Sequence, residues 1–326
     1  MLDMNIFVTG GAGFIGSNFI RYILRTHQTY RIINYDLLTY SGNLDNLQSV
    51  HQDSRYFFVQ GDIQNRELAQ KVILQHRIDC IINFAAESHV DRSIENSTPF
   101  FNTNVMGTVA LLEIVKEYPH IRMLQVSTDE VYGSLGNKGL FTETTPLAPS
   151  SPYSSSKASA DMIALSYFKT YGTHVSITRC SNNYGPYQYP EKLIPLMIIQ
   201  ALKGKQLPVY GDGKNVRDWL HVEDHCRALD AVMHRGKAGE VYNIGGNQER
   251  TNIEVVRSIL QQLGKSETAI EFVADRLGHD RRYAIDASKI KKELGWSPTY
   301  TFEEGLRETI EWYCENELWW SRLQQK

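Results

Sequence analysis

Two adjacent carboxylates, Asp129 and Glu130, follow the apolar run "IRMLQVS" in the segment "STDEVYG". Neighbouring side chains of an extended chain point to opposite sides, so packing alone does not account for an acid pair at the end of a predicted strand. When two carboxyl groups share a dry site, their pKa values tend to separate, which leaves one group protonated and the other ionised. With the hydroxyl of Thr128 beside it, the pair is a candidate for proton-transfer chemistry.

A second candidate is the segment "YSSSK", which runs from Tyr153 to Lys157. On a helix, residues four positions apart share a face. A free tyrosine, with a pKa of about 10, is a poor base at neutral pH, but a nearby cation stabilises the phenolate and lowers that pKa. The spacing therefore predicts that Lys157 lowers the pKa of Tyr153, which can then remove a proton from a sugar hydroxyl. Taken alone, the same spacing is more typical of a solvated helix face.

The segment "GGAGFIG" lies between a predicted strand and a predicted helix. Its glycines permit a tight turn, so a pyrophosphate can rest on the N-terminus of that helix. Asp36 ends the next strand, 20 residues past Gly16, where it can accept hydrogen bonds from an adenosine ribose. Its charge would repel a 2′-phosphate, so the motif predicts NAD rather than NADP; a glycine turn without a ligand is the weaker alternative. The predicted loop contacts are Gly10, Gly13, Phe14, Ile15 and Gly16.

The elements that position these motifs alternate regularly along the chain. Apolar residues recur at helical spacing in segments such as 14–25, 67–76 and 101–117, and apolar runs lie between them. This alternation predicts an α/β fold, a doubly wound parallel sheet of the Rossmann type. The runs predicted as strands buried on both faces are "MNIFVTG", "RIINYD", "RYFFVQGD", "DCIINFA", "RMLQVST" and "HVSITRC".

Beyond about Arg179 the chain becomes richer in Gly, Pro, Asn and Tyr, which indicates loops. We therefore predict an NAD-binding domain over residues 1–180. Residues 181–326 are predicted to form mainly a smaller C-terminal substrate-binding lobe, with some chain crossing back to the sheet near residues 240–245.

Composition narrows the function classes. The 326 residues include 34 Lys and Arg against 37 Asp and Glu, a net charge of −3, which gives no indication of a nucleic-acid partner. The 4 cysteines are widely spaced with no CxxC pair, which suits a reducing cytoplasm and predicts neither a disulfide framework nor a zinc knuckle. The sequence shows neither a secretory signal nor an apolar run of membrane-spanning length, so we expect a cytoplasmic protein without a membrane partner.

Several segments together carry a family resemblance: "GGAGFIG", "FAAESHVDRS", "NVMGT", "STDEVYG", "PYSSSKASAD", "RCSNNYGPYQYPEKLIP", "GDGKNVRDWLHVEDH" and "GHDRRYAID". They resemble the extended short-chain dehydrogenase/reductase superfamily and, more narrowly, its dTDP-glucose 4,6-dehydratases of deoxysugar (rhamnose) biosynthesis. The Asp129-Glu130 pair is the narrower signal, because 4-epimerases lack it and related decarboxylases or GDP-mannose dehydratases usually carry only the glutamate. Leu277 departs from the proline that the family commonly has before "GHDRR".

The resemblance implies a reaction and a role for each catalytic candidate. Hydride leaves C4 of the hexose for NAD⁺, water is eliminated across C5 and C6, and hydride returns to C6. Tyr153 with Lys157 would supply the base for C4 oxidation, and Thr128 a polarising hydroxyl. Glu130 would remove the C5 proton, and Asp129 would protonate the departing 6-hydroxyl. The resemblance also implies a homodimer through the helices around residues 101–117 and 153–171.

Further contacts are implied by the same resemblance. Arg217 and Arg281 would clamp the substrate pyrophosphate, a task suited to bidentate guanidinium groups. The other implied substrate contacts are Glu87, Ser88, Thr128, Asn182, Lys192, Leu193, Pro208, Tyr210 and Asn252. Beyond the glycine loop and Asp36, the implied cofactor contacts are Asp62, Ile63, Ala85, Ala86, Thr103, Tyr153, Lys157 and Asn183.

Alternatives remain open at this point. A UDP-sugar 4,6-dehydratase, a decarboxylase or a 4-epimerase of the same superfamily is the main one, and a non-catalytic NAD-binding regulator is another. The sequence does not distinguish a thymidine from a uridine base. His221 and His225 have a spacing that can hold a metal, but no third ligand is evident and a helix start is the favoured interpretation, so we predict no metal site.

Overall fold

A computed structural model describes residues 3–324 of the chain. The strands among these residues are β1 (Asn5–Thr9), β2 (Arg31–Asp36), β3 (Tyr56–Gln60), β4 (Cys80–Asn83), β5 (Arg122–Thr128), β6 (Val175–Cys180), β7 (Asn182–Tyr184), β8 (Leu207–Tyr210), β9 (Val216–His221), β10 (Val241–Ile244), β11 (Glu249–Thr251) and β12 (Ile270–Val273).

The α-helices of the same residues are α1 (Phe14–Thr26), α2 (Arg66–Gln75), α3 (Val90–Glu95), α4 (Thr98–Phe100), α5 (Thr108–Glu117), α6 (Pro152–Tyr171), α7 (Leu193–Leu202), α8 (Val222–Arg235), α9 (Asn252–Gln262), α10 (Ser288–Leu294), α11 (Phe302–Glu315) and α12 (Glu317–Leu323). A π-helical stretch, Phe101–Gly107, leads into α5. No helix in this part of the chain is both long and apolar enough to cross a membrane.

The main sheet has 7 parallel strands in the order β10-β6-β5-β4-β1-β2-β3. The predicted α/β doubly wound fold is confirmed. Alternate residues of β1 enter different cores: Ile6 and Val8 pack on one face and Phe7 on the other. Because the strand order reverses between β1 and β4, a crevice opens at their carboxyl ends, where such sheets bind ligands.

One predicted strand differs in its surroundings. We expected β3 to be buried on both faces, yet four of its residues are partly exposed and the fifth is exposed. The reason is its place at the edge of the sheet, where it pairs only with β2. The hydrophobic run "YFFV" therefore marks an edge strand that helices cover incompletely.

Residues beyond β6 build smaller units around a core of their own. A 3-stranded sheet has the order β11-β9-β7, and β12 pairs with β8. Large side chains such as Tyr184, Trp219 and Phe302 fill the core between these strands and α7, α9 and α11. The chain returns to the main sheet as β10, which pairs in parallel with β6.

Helix α6 carries the "YSSSK" segment, and its start is strongly defined. Ser151 caps the helix through a reciprocal capping box with Ser154, and Pro152 occupies the first turn. Gly172 ends the helix in the left-handed conformation, φ +71°. The helix packs against β5 and β6, so its first turn lies beside the carboxyl end of β5.

Candidate active site

A cleft opens at the carboxyl ends of the sheet strands, and most of the predicted site residues line it. Those that the structure brings together are Gly10, Gly13, Phe14, Ile15, Gly16, Asp36, Asp62, Ile63, Ala85, Ala86, Glu87, Ser88, Thr103, Thr128, Asp129, Glu130, Tyr153, Lys157, Asn182, Asn183 and Lys192. The remaining predicted substrate contacts, Leu193, Pro208, Tyr210, Arg217, Asn252 and Arg281, lie outside this lining.

The acid pair sits where β5 turns into a 3₁₀-helix, Asp129–Tyr132. The hydroxyl oxygen of Thr128 accepts a hydrogen bond from the Glu130 N–H at 3.3 Å and caps the turn. Because a 3₁₀-helix advances about three residues per turn, consecutive side chains no longer point to opposite sides as they do in a strand. Both carboxyl groups therefore face the same cleft.

Gly133 ends this turn, and no other residue fits there. Its φ is +85°, and a Cβ atom would lie 2.3 Å from the carbonyl oxygen of Ala148. Side chains with a Cβ are disfavoured in this conformation and excluded by this contact. The glycine thus maintains the turn that brings the acids together.

The two acids differ in their electrostatic surroundings. Burial raises the pKa of Asp129 well above its usual range, and the charges of Glu130 and Asp218 raise it further. One carboxylate oxygen of Asp129 has no hydrogen-bond partner among the described residues. Burial also raises the pKa of Glu130, but the positive charges of Arg276 and Arg217 oppose that rise. Of the two, Asp129 is favoured to hold a proton and Glu130 to be ionised.

Tyr153 and Lys157 lie in the first turns of α6, with 8% and 4% of their surface exposed. Burial raises the pKa of Tyr153 well above its usual value, and the charge of Glu130 acts in the same direction. The pKa of Tyr153 is therefore raised, whereas the spacing of Tyr153 and Lys157 predicted that it is lowered. A hydrogen bond with Thr128 opposes the rise, and the Lys157 ammonium donates to the Val126 carbonyl at 2.7 Å.

A buried network of polar side chains, which the sequence analysis missed, lies next to these catalytic candidates. Arg179 donates to Asp161 at 2.8 Å and to the Tyr132 hydroxyl at 2.9 Å. The Tyr132 hydroxyl in turn donates to Asn243 at 2.8 Å. The network joins α6, the 3₁₀ turn, β6 and β10. The sequence feature that could have revealed this network is the helical spacing of Lys157 and Asp161, which places both on one face of α6.

The two predicted pyrophosphate ligands lie in different environments. Arg217 is 5% exposed, and its guanidinium lies over the Tyr283 ring at 4.2 Å and donates to the Asp280 carbonyl. The side chain of Arg281 is 50% exposed and forms a bidentate ion pair with Asp212 at 2.8 and 3.1 Å. Arg281 thus pairs with an exposed carboxylate, and the pyrophosphate clamp of Arg217 and Arg281 stays a prediction.

Arg276 is a functional candidate that sequence reasoning missed. Its side chain is 20% exposed and lies 3.6 Å from a carboxylate oxygen of Asp91. Its charge is the strongest of those that lower the pKa of Glu130. The signal in the sequence was the basic segment "DRLGHDRR", in which the family resemblance had singled out Arg281.

The other lobe residues have mixed positions. Lys192, the residue before α7, donates to the Ser88 carbonyl at 2.9 Å and so links the lobe to the main sheet. Leu193 begins α7, and Pro208 and Tyr210 lie on β8. Asn252, at the start of α9, is 9% exposed and keeps a side-chain oxygen without a partner among the described residues.

The two histidines for which the sequence raised a metal alternative, His221 and His225, contact other side chains. The His221 ring stacks on Tyr300 at 4.0 Å, and His225 hydrogen-bonds through Nδ1 to the Asn183 side chain at 2.9 Å. Burial lowers the pKa of His221 to about 4 and that of His225 to about 3, so both are neutral near pH 7. His221 precedes α8, as expected, but its side chain does not cap the helix.

A separate group of possible ligands, His27, Asp230 and His234, lies between the end of α1 and α8. His27 Nε2 contacts an Asp230 oxygen at 3.0 Å, and the Tyr30 hydroxyl contacts His234 Nε2 at 2.7 Å. His234 Nδ1 lies 2.8 Å from the Asp230 carbonyl oxygen. These polar atoms already satisfy one another, so the group acts as an inter-helix clamp.

Comparison with known proteins assigns the chain to a family. The family model described as GDP-mannose 4,6 dehydratase matches residues 7–309. A dTDP-glucose 4,6-dehydratase of Xanthomonas campestris is 54% identical over 330 residues, which cover 96% of this chain and 93% of that protein. This chain belongs to the dTDP-glucose 4,6-dehydratase family.

Solved structures of other members agree with the fold of this dehydratase-family chain. The dTDP-glucose 4,6-dehydratase from Bacillus anthracis in complex with NAD is 64% identical, with a TM-score of 0.94, covering 98% of this chain and 99% of that one. The Streptomyces venezuelae dTDP-glucose 4,6-dehydratase with NAD and TYD bound is 49% identical, with a TM-score of 0.95, covering 98% and 100%.

The glycine loop of this dehydratase-family chain fits a dinucleotide. A Cβ atom on Gly16 would lie 2.4 Å from the Gly10 carbonyl oxygen, and Gly10 itself has φ +65°, so the tight turn requires glycine. The Asp36 carboxylate accepts hydrogen bonds from the N–H groups of Ala12 and Leu38 at 2.9 and 2.8 Å. These bonds orient the carboxylate, and its remaining lone pairs can accept from ribose hydroxyls.

Other residues of the cofactor side escaped sequence reasoning. The cleft is also lined by Leu37, Thr39, Tyr40, Ser41, Gly42, Asn43 and Asn46, and from the lobe side by Tyr187, Gln188, Tyr189, Glu191, Trp319 and Leu323. The first group directly follows Asp36, a position that could have drawn attention to it. The second group has no local motif, because its place depends on how the lobe packs.

Proposed function

We propose that this protein dehydrates dTDP-glucose to dTDP-4-keto-6-deoxyglucose. The observation that carries this proposal is the Asp129-Glu130 pair, with Asp129 buried and Glu130 partly exposed, which has unequal electrostatic surroundings and lies next to Tyr153 and Lys157 in one cleft. Water elimination needs an acid and a base at once, and this pair meets that need. The name and bound NAD of the close relatives support the same activity.

The first step oxidises C4 of the hexose. NAD, held by the glycine loop and Asp36, supplies the chemistry of accepting a hydride from C4 and returning it to C6. Tyr153 removes the proton of the 4-hydroxyl, and the charge of Lys157 on the same helix face offsets part of the cost of an ionised phenol in a buried site. The hydroxyl of Thr128, at the end of β5, orients the substrate hydroxyl.

The second step eliminates water across C5 and C6. The 4-keto group acidifies the C5 proton, which Glu130 accepts, because the nearby guanidinium groups of Arg276 and Arg217 favour its ionised form. Asp129 donates its proton to the departing 6-hydroxyl, since burial and the charge of Glu130 keep it protonated. The two roles follow from two environments on adjacent residues.

We propose that Arg217 and Arg281 bind the substrate pyrophosphate, as the family resemblance implies, and that Arg276 favours the ionised form of Glu130. The charges of Arg276 and Arg217 both lower the pKa of Glu130, and Arg281 forms an exposed ion pair with Asp212. The site roles of Asn182, Lys192 and Asn252 in holding the nucleotidyl sugar, and the participation of Leu193, Pro208 and Tyr210, remain proposals from the family resemblance.

We also propose the division into an NAD-binding part, residues 1–180, and a nucleotide-sugar-binding part within 181–326. A homodimer through the π-helix–α5 segment and α6 is supported by exposed apolar side chains on them, including Phe101, Met106 and Met162, which are 39%, 55% and 57% exposed. A cytoplasmic location and a place in rhamnose-type biosynthesis are further proposals, supported by composition and resemblance.

The test of the function is incubation with dTDP-glucose without added NAD, followed by mass spectrometry and proton NMR. We expect loss of 18 mass units, from the mass of one water molecule, and the methyl doublet of a 4-keto-6-deoxy sugar. UDP-glucose in a parallel reaction tests the base preference and epimerisation, and UDP-glucuronate in another tests decarboxylation. An epimerised or decarboxylated UDP-sugar with dTDP-glucose left intact would overturn the proposal in favour of another member of the superfamily.

A further inference from the structure

The last helix, α12, presents two adjacent tryptophans to different parts of the molecule. Trp320 is 2% exposed, packs in the lobe core and donates its indole N–H to the Tyr313 carbonyl at 2.8 Å. Trp319 instead donates its indole N–H to the side-chain oxygen of Asn46 at 2.9 Å, across 273 positions of the chain. One tryptophan thus serves the core, and the other reaches the cofactor half.

Asn46 passes this contact on to the dinucleotide loop. Its side chain is 2% exposed, and its NH₂ group donates to the carbonyl oxygen of Ala12 at 2.9 Å. Ala12 lies inside the segment "GGAGFIG". A continuous chain of hydrogen bonds, Trp319 to Asn46 to Ala12, therefore joins the C-terminal helix to the loop predicted to hold the cofactor pyrophosphate.

Aromatic contacts add to this link between the C-terminal helix and the cofactor half. Tyr187, a non-glycine residue held at φ +68°, places its ring 4.6 Å from that of Trp312 and 5.8 Å from that of Trp319. The Arg21 guanidinium of α1 lies over the Tyr187 ring at 3.9 Å. Non-glycine residues with a backbone φ in this region are strained and persist only where their surroundings enforce that conformation. Tyr187 and Trp319 both line the cleft.

We propose that Trp319, acting through Asn46, is a cofactor-retaining residue that slows the release of NAD from the cleft. The inference rests on the proposed function, in which NAD has the same oxidation state at the end of each catalytic cycle as at its start. Such a cofactor has no need to exchange, so a contact that closes its cleft does not limit turnover. Trp319 acts on the cleft through position and not on the reacting atoms.

The test compares Trp319→Phe with Trp320→Phe, its neighbour on the same helix. Each change removes one indole N–H and keeps an aromatic ring, but only the first breaks the contact with Asn46. The readouts are the NAD content of the purified protein after dialysis and the rate at which bound NAD exchanges with isotopically labelled NAD. Since a hydrogen bond between neutral groups contributes about 1 kcal/mol, we expect Trp319→Phe to speed exchange roughly three- to tenfold.

Trp320→Phe should lower the unfolding temperature and leave the exchange rate within error of the parent. Trp319→Leu, which also removes the ring contact with Tyr187, should exchange faster than Trp319→Phe. Unchanged exchange in both Trp319 variants would overturn the inference, as would equal acceleration in Trp320→Phe, which would indicate general loosening of the C-terminus. A parent protein that carries no nucleotide and does not bind NAD would overturn the proposed function itself.

Discussion

The floor and the rim of the cleft differ in how they are built. The floor, formed by β5 and the start of α6, is dry: Thr128, Asp129, Tyr153 and Lys157 are all buried. The rim comes from the lobe and from loops, with partly exposed charges such as Arg276. Proton transfer needs groups whose pKa values are shifted by burial, whereas substrate capture needs charges that solvent and ligand can reach. The two tasks therefore use different parts of the molecule.

The strongest test of the floor is Tyr153→Phe. Removing the hydroxyl deletes the proton acceptor but keeps the ring in its buried position, so substrate binding should survive while turnover falls by roughly two to four orders of magnitude. Turnover and the dissociation constant for dTDP-glucose are the measurements. Near-normal turnover would mean that the proton goes elsewhere and that the dry floor does not carry the chemistry.

Single substitutions of the two acids test whether they have different roles in the elimination. Glu130→Gln should exchange little C5 hydrogen with deuterated water and eliminate little water, because the C5 base is gone. Asp129→Asn should still exchange C5 hydrogen but eliminate water slowly, because the leaving hydroxyl is no longer protonated. We expect each variant to lose about a hundredfold or more in product formation. Equal ratios of exchange to elimination would show that the acids act as one unit.

The rim is tested with two arginines of one segment, Arg276→Gln and Arg281→Gln. Loss of Arg276 should weaken activity on dTDP-glucose by roughly tenfold, the scale of a hydrogen bond to a charged group. It should also move the acid limb of the pH–rate profile to higher pH, because Arg276 lowers the pKa of Glu130, which must be ionised to act as a base. Arg281→Gln is the matched control, and its profile should stay that of the parent, since Arg281 pairs with the exposed Asp212. An equal shift of the acid limb in Arg281→Gln would contradict the specific effect of Arg276 on Glu130.

The smallest effect is expected far from floor and rim, at the clamp of Asp230 and His234. Hydrogen bonding to Asp230 raises the pKa of His234. The stabilisation from protonated His234 is therefore complete below the unfolded pKa of about 6.5 and is lost as pH rises through the higher folded value. His234→Gln should lower the unfolding temperature by roughly 2 °C at pH 5.5 and by less at pH 9, with turnover unchanged. A decrease in turnover in His234→Gln would contradict the prediction that this group affects only stability.

Local patterns in the sequence were enough to predict the frame of the molecule. The buried runs of β1, β2, β4, β5 and β6 and the helices between them follow from hydrophobic periodicity, which depends on neighbours along the chain. The same holds for the glycine turn, for the shared helix face of Tyr153 and Lys157, and for the acid pair as a candidate. The exposed edge of β3 was not predictable in this way, because a strand's place in a sheet depends on distant partners.

Only the tertiary structure decided what these residues experience. The 3₁₀ turn after Thr128 directs both acids into one cleft, and Arg276, more than 140 residues away in sequence, distinguishes Glu130 from Asp129. Burial reversed the expected pKa shift of Tyr153, and packing of the lobe brought Trp319 to Asn46, which contacts the glycine loop. Desolvation and charge act through space, so their sum at any atom is set by the folded arrangement and not by the order of residues along the chain.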